Sequence, residues 1–198
     1  MRLEIRAVAF DLMDTVLTDP FREALTAATG LPVDDLLARR DPSVYPAFER
    51  GELEECQYWA HYRELGIEVD PDEFHRVRRA GTGWIAGMPE LLDDLEGLVL
   101  RVAASNYPYW VDDLADEQLD GRFERVLASC HLRARKPEAG FYERLLSELE
   151  LPAEAVLFVD DREENVAAAR RVGIAAHRFA GVGRLRRWLA GHDLIVAG

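Results

Sequence analysis

Four short apolar runs, each closing on polar residues, set the rhythm of this chain: Ile5 to Phe10, Leu98 to Ala104, Val126 to Ser129 and Ala155 to Val159. Continuous aliphatic and β-branched runs of this length fit strands buried on both faces, as in a parallel sheet. Between them the apolar positions take helical spacing, at Pro89 to Leu95, Tyr109 to Leu119, Glu138 to Leu149 and Arg162 to Val172. In the third of these Phe141, Leu145 and Leu149 share one stripe. A fifth strand is predicted at Ile174 to His177. Alternating strands and helices predict an α/β protein whose ligands sit outside the carboxyl ends of the strands.

The first strand is not followed by a single helix. The core pattern resumes only near Met88, which marks an insertion. We expect a core of residues 1–17 and 89–198 and a small helical cap of residues 18–88. The insertion holds five of the nine prolines, and its amphipathic segments run Phe21 to Thr29, Val33 to Arg40, Leu53 to Leu65 and Asp72 to Arg79. Its aromatics (Phe21, Tyr45, Phe48, Tyr58, Trp59, Tyr62, Phe74, Trp84) read as the cap's own small core, and His61 and His75 as ordinary helix-surface residues.

A net charge of −13 without a basic run repels nucleic acid and anionic membrane surfaces. No stretch approaches the roughly 18 apolar residues of a membrane span, so a soluble, cytoplasmic protein is expected. Cys56 and Cys130 stand at no metal-ligand spacing, as a reduced compartment predicts.

Four segments carry candidate chemistry. Asp11 directly follows the first strand, where an aspartate serves equally as a cap or turn residue. Ser105 and Asn106 end the second strand, able to hold an anionic oxygen or to cap the next helix. Lys136 is the single lysine among 24 basic residues, and Pro137 places it on a defined loop. A compact ammonium at that point suits a site where an arginine fork would not fit, although a bias toward arginine explains most of the imbalance. Asp160 and Asp161 end the fourth run; two adjacent carboxylates there call for a cation, or form an acidic helix start.

Together and in this order, the segments around Asp11, Ser105, Lys136 and Asp160-Asp161 resemble the four motifs of the haloacid dehalogenase-like superfamily. The resemblance implies a Rossmann-like core with a helical cap inserted after the first motif, and a small-molecule substrate. By that likeness Asp11 is the nucleophile, forming a covalent aspartyl intermediate that water hydrolyses. Ser105, Asn106 and Lys136 would bind the oxygens of the transferred group. Mg²⁺ would be held by Asp11, Asp161 and the backbone carbonyl of Met13, with Asp160 reaching it directly or through water. Asn165, Asp14 and Thr15 would stand behind those ligands.

One departure shapes the functional expectation. Phosphatases of this family read Asp-x-Asp-Gly-Thr at the first motif, whereas this chain reads Asp11-Leu12-Met13-Asp14-Thr15. Met13 thus stands where a general acid is usual, a role worth about 10²- to 10⁴-fold in rate. Asp14 occupies the glycine position, one residue too late. We expect a Mg²⁺-dependent phosphatase of a small phosphate ester, slowed by Met13. Two alternatives are a 2-haloacid dehalogenase, with Arg39 or Arg40 holding a carboxylate, and a catalytically weakened binding module.

Overall fold

The computed structural model of the chain describes residues 4–119 and 121–195; the ends of the expected core, 1–3 and 196–198, lie outside them. Five parallel strands, β1 (Ala7–Phe10), β2 (Leu100–Ala103), β3 (Arg125–Val126), β4 (Val156–Asp160) and β5 (Ala175–Arg178), form one Rossmann-like sheet in the order β3-β2-β1-β4-β5. β1 is central because it is apolar on both faces. Ala7 and Ala9 pack with Phe141, Tyr142 and Phe158 on one side, and Val8 and Phe10 join the larger cluster on the other. The strand order reverses between β1 and β4, so the crevice at their carboxyl ends is the natural ligand site.

Strand 3 is shorter than its apolar run predicts, ending at Val126 where Ser129 was expected. Leu127 and Ser129 still donate to Ala103 and Ser105, both carbonyls of the neighbouring strand and its loop. The chain then turns into α8 (Ser129–Leu132), because the Ser129 hydroxyl is captured by the Glu49 carbonyl at 2.6 Å while accepting from the Tyr107 amide at 3.0 Å.

Between β1 and α6 (Met88–Asp94) lie five helices, α1 (Phe21–Thr29), α2 (Val33–Arg39), α3 (Val44–Glu49), α4 (Glu55–Glu64) and α5 (Pro71–Gly81). The segment leaves and re-enters the sheet side by side: Thr18 donates to Gly83 and Ile85 to Val16, each at 2.9 Å. Its aromatic residues do not form a separate core. Trp110, at the start of α7 (Trp110–Gln118), enters their cluster with ring centroids 4.9 Å from Phe48 and 5.0 Å from Phe74. A few short helices bury too little surface alone, and the core helix supplies the missing ring. α9 (Ala139–Leu149), α10 (Glu163–Arg171) and α11 (Val182–Ala190) complete the order, and no described helix is long and apolar enough to cross a membrane.

His75 is not the surface residue its position suggested. Its Nε2 meets Glu55 at 2.7 Å, and its ring stands edge-on to Trp110. Burial works against the Glu55 charge, but hydrogen bonds from His75 and Trp59 win and hold its pKa at about 2. A depressed carboxylate pKa adds stability above the ordinary value, lost as pH falls through the folded one. Glu55→Gln should therefore cost about 1 kcal/mol at neutral pH, allowing for partial exposure. In urea titrations that difference should shrink between pH 4.5 and 2.

Candidate active site

β1 ends in the middle of the sheet and delivers Asp11 to the crevice, its amide still bonded to the Val159 carbonyl at 2.8 Å. Three donors converge on one oxygen of its carboxylate, Oδ1: the Ser105 hydroxyl at 2.9 Å, the Leu12 amide at 2.8 Å and Lys136 Nζ at 2.8 Å. The side chain is thereby locked in one orientation. Burial raises the Asp11 pKa and Asp160 adds to it, while Lys136 opposes both.

Lys136 is 1 % exposed, and its Nζ lies over the rings of Phe141 and Phe158, 5.9 and 5.5 Å from their centres. Nζ bridges Asp11 Oδ1 at 2.8 Å and Asp160 Oδ2 at 2.7 Å. An ammonium has three protons, so one donor remains for a ligand. Burial alone would lower this pKa, yet the attraction of Asp11 and Asp160 raises it. The loop is held by Asn106, whose Oδ1 accepts from the Lys136 amide at 2.7 Å and whose Nδ2 donates to the Lys136 carbonyl at 2.9 Å. Asn106 thus works first as a clamp on Lys136, although it also lines the cleft.

Asp160, fully buried, accepts four times: from Lys136, twice from Asn165 Nδ2 at 2.9 and 3.0 Å, and from the Arg162 amide at 2.9 Å. A carboxylate has about four lone-pair sites, so its capacity is used and direct metal ligation would break one of these bonds. Its neighbour Asp161 is half-buried, and burial together with Asp11 and Asp160 pushes its pKa up to about 6. Oxygens of Asp11, Asp160 and Asp161 lie within 4.8 Å of one another. Three carboxylates against one ammonium leave an excess of negative charge, and an all-oxygen donor set of this kind matches a hard divalent cation.

A cleft of about 330 Å³ opens over these groups and is also lined by Met13, Asp14 and Asn165. Asp14 takes a left-handed backbone with φ 58°, the conformation that favours glycine and that aspartate tolerates, and it reaches the cleft wall. Thr15 does not come to the cleft; it is fully buried and its hydroxyl has no hydrogen-bond partner among the described residues. Of the two arginines of the inserted segment, Arg40 lines the cleft, whereas Arg39 is turned to the Leu65 carbonyl at 2.7 Å.

The model of the haloacid dehalogenase-like hydrolase family matches residues 5–173. The chain belongs to that family. This hydrolase is 30% identical over 183 residues to the chloroplast flavin mononucleotide hydrolase 1 of Arabidopsis thaliana, covering 91% of this chain and 75% of that one. It is 29% identical over 159 residues to a sesquiterpene phosphatase of Aspergillus oryzae, covering 74% and 77%. A HAD family enzyme of Bacteroides thetaiotaomicron, solved in complex with magnesium and inorganic phosphate, shares its fold with a TM-score of 0.76 at 15% identity, covering 89% of this chain and 94% of that one.

Several cleft residues of this hydrolase carry no sequence signal. Glu49 ends α3 and is buried against Arg135, whose Nε donates to Glu49 Oε2 at 2.8 Å. Asp19, Arg22 and Tyr45 come from loops and short helices of the inserted segment. Arg135 alone was within reach of inspection, being the residue before Lys136.

Proposed function

We propose that this hydrolase is a Mg²⁺-dependent phosphatase acting on a small phosphorylated metabolite through an aspartyl-phosphate at Asp11, with residues 18–88 as a cap over the site. The observation that carries this reading is the bridge of Lys136 between Asp11 and Asp160, with Asp161 alongside. The printed activities of the flavin mononucleotide hydrolase and the sesquiterpene phosphatase support phosphate esters as the substrate class. The paired carboxylates weigh against a dehalogenase, which works without metal in this family.

Asp11 and Asp161, with the Met13 carbonyl, would hold the ion. When bound, Mg²⁺ supplies positive charge beside the phosphoryl oxygens. Every other step belongs to the chain. The free proton of Lys136 goes to a phosphoryl oxygen and offsets its charge, and Ser105 turns its hydroxyl proton from Asp11 Oδ1 to orient the group. A carboxylate oxygen of Asp11 attacks phosphorus, forming a C–O–P linkage as the ester P–O bond breaks and the leaving oxygen takes the electron pair. Water then attacks phosphorus, and the Asp11 carboxylate is released with inorganic phosphate. Met13, half-buried at the cleft, has no proton to give the leaving oxygen, so alkyl esters should turn over slowly.

The test is phosphate release from alkyl esters with and without Mg²⁺. Met13→Asp should raise that rate about tenfold or more, within the usual range for a positioned acid. Its effect on p-nitrophenyl phosphate should be smaller, since that leaving group needs little protonation. A flat response with both esters would remove the missing acid as the cause of slow turnover. Mg²⁺ should also raise the melting temperature by mass action, about 1.4 kcal/mol at tenfold excess over its Kd, and the gain should vanish in Asp161→Asn.

A further inference from the structure

The stretch that carries Lys136 is gripped on both sides by the inserted segment. Arg135, its neighbour, directs Nε and Nη2 to Glu49 Oε2 at 2.8 and 2.7 Å. Arg133 donates through Nη1 to the Gly51 carbonyl, and Glu138 faces Arg50 Nη1 at 3.8 Å. The Glu49 carbonyl also takes the Ser129 hydroxyl at 2.6 Å. Residues 49–51 thus meet positions 133, 135 and 138, while Asn106 of the core holds the Lys136 backbone between them.

Of the two ion pairs, that of Glu49 is the buried one. Glu49 is 5 % exposed, so its pair is screened little, whereas Glu138 is open to solvent. Burial raises the Glu49 pKa, and the attraction of Arg135, Arg162 and Lys136, all from the core, works against that rise. The approach of the two chains demands glycine next to the pair. Gly51 takes φ 65°, and a Cβ there would stand 2.9 Å from the Tyr109 ring and 3.1 Å from Arg133 Nη1. Arg135 is one peptide bond from Lys136, so a shift of Glu49 is passed to the residue whose Nζ bridges Asp11 and Asp160. Misplacing such a group by about 1 Å can cost about 10²-fold in rate.

We propose that Glu49 is a positioning residue that acts through Arg135, making the placement of Lys136 depend on how the inserted segment is seated. The phosphoryl seat is then complete only with that segment in place. The effect on rate rests on the reading above; the coupling between Glu49 and Lys136 does not.

The test uses the single lysine. Protein grown with lysine carrying carbon-13 at Cε gives one such side-chain resonance, which reports on Lys136 alone. Glu49→Gln and Arg135→Gln should move that resonance in the same sense, because both release the loop. A direct field effect would move it in opposite senses, since the charges removed are opposite. Gly51→Ala, which changes no charge, should move it as they do, and it carries the test if Glu49→Gln does not fold. Glu73→Gln, which breaks an exposed pair with Arg76 on the same segment, should leave it in place. With p-nitrophenyl phosphate and Mg²⁺, Glu49→Gln and Arg135→Gln should each lower kcat about tenfold or more. The double variant should lose no more than the worse single one, and Glu49→Asp should recover part of both readouts. A resonance that stays put, or moves in opposite senses, overturns the coupling even if activity falls. Additive losses in kcat, or a loss in Glu49→Gln alone, overturn it by showing that Glu49 acts on the substrate directly. A resonance that moves as expected without any turnover that depends on Asp11 sustains the coupling and removes the phosphatase reading.

Discussion

Asp11→Asn is expected to reduce phosphate release on the order of 10⁴-fold or more, the scale seen when a covalent nucleophile is removed. The fold should not suffer. Asparagine keeps an oxygen that can accept from Ser105 and the Leu12 amide, the two neutral donors on Asp11 Oδ1. Burial already disfavours the Asp11 charge, so replacing it with a neutral amide relieves part of that cost. Lys136 retains Asp160 as its partner at 2.7 Å. The signature is thus a protein that melts near the unmodified temperature and has lost its chemistry, read by calorimetry and a phosphate assay on the same preparation. Activity within tenfold of the unmodified protein would show that another group attacks.

Lys136→Met should have the largest effect on stability. It leaves Asp11 and the fully buried Asp160 facing each other without the ammonium that bridges them. Breaking a buried ion pair by removing one partner costs about 3–5 kcal/mol. Methionine keeps much of the aliphatic stem and removes the ammonium that lies over Phe141 and Phe158, so the loss reports charge more than packing. Urea unfolding measures it directly. Adding Asp11→Asn to Lys136→Met should return part of the stability, because one of the stranded charges is gone, and that coupling separates electrostatics from a general defect. Mg²⁺ should also recover part of the loss in the single variant by neutralising the same carboxylates.

Much of this site was legible because strand ends and chemistry coincide. β1 is apolar throughout and β4 up to its last residue, Asp160, and both are buried on both faces, so their carboxyl ends, and with them Asp11, Asp160 and Asp161, could be read from hydropathy alone. Lys136 stood out as the single lysine. What escaped depended on long-range partners. β3 is an edge strand, and Ser129 leaves it for Glu49, 80 residues away in sequence. α3 was missed because Pro46 breaks the helical pattern, although it lies in the first turn, where a missing amide proton is harmless. Trp110 read as part of a core helix, and only packing reveals that it completes the aromatic cluster of the inserted segment. Arg39 and Arg40 are adjacent and chemically alike; α2 ends between them, and that alone sends one to the Leu65 carbonyl and the other into the cleft.

A phosphoryl group carried by Asp11 should be open to direct capture, because Met13 stands where a general acid is usual. An activated ester should load the nucleophile quickly, whereas hydrolysis of the linkage lacks the usual carboxylate to activate water, so the intermediate should accumulate. The measurement is rapid acid quenching after mixing the protein with p-nitrophenyl phosphate and Mg²⁺, followed by mass spectrometry of its peptides. A burst of p-nitrophenol near one equivalent and a phosphate on the peptide containing Asp11 are expected, both absent in Asp11→Asn. Steady release of p-nitrophenol with no phosphorylated Asp11 peptide, or a burst that persists in Asp11→Asn, would contradict an aspartyl-phosphate at Asp11.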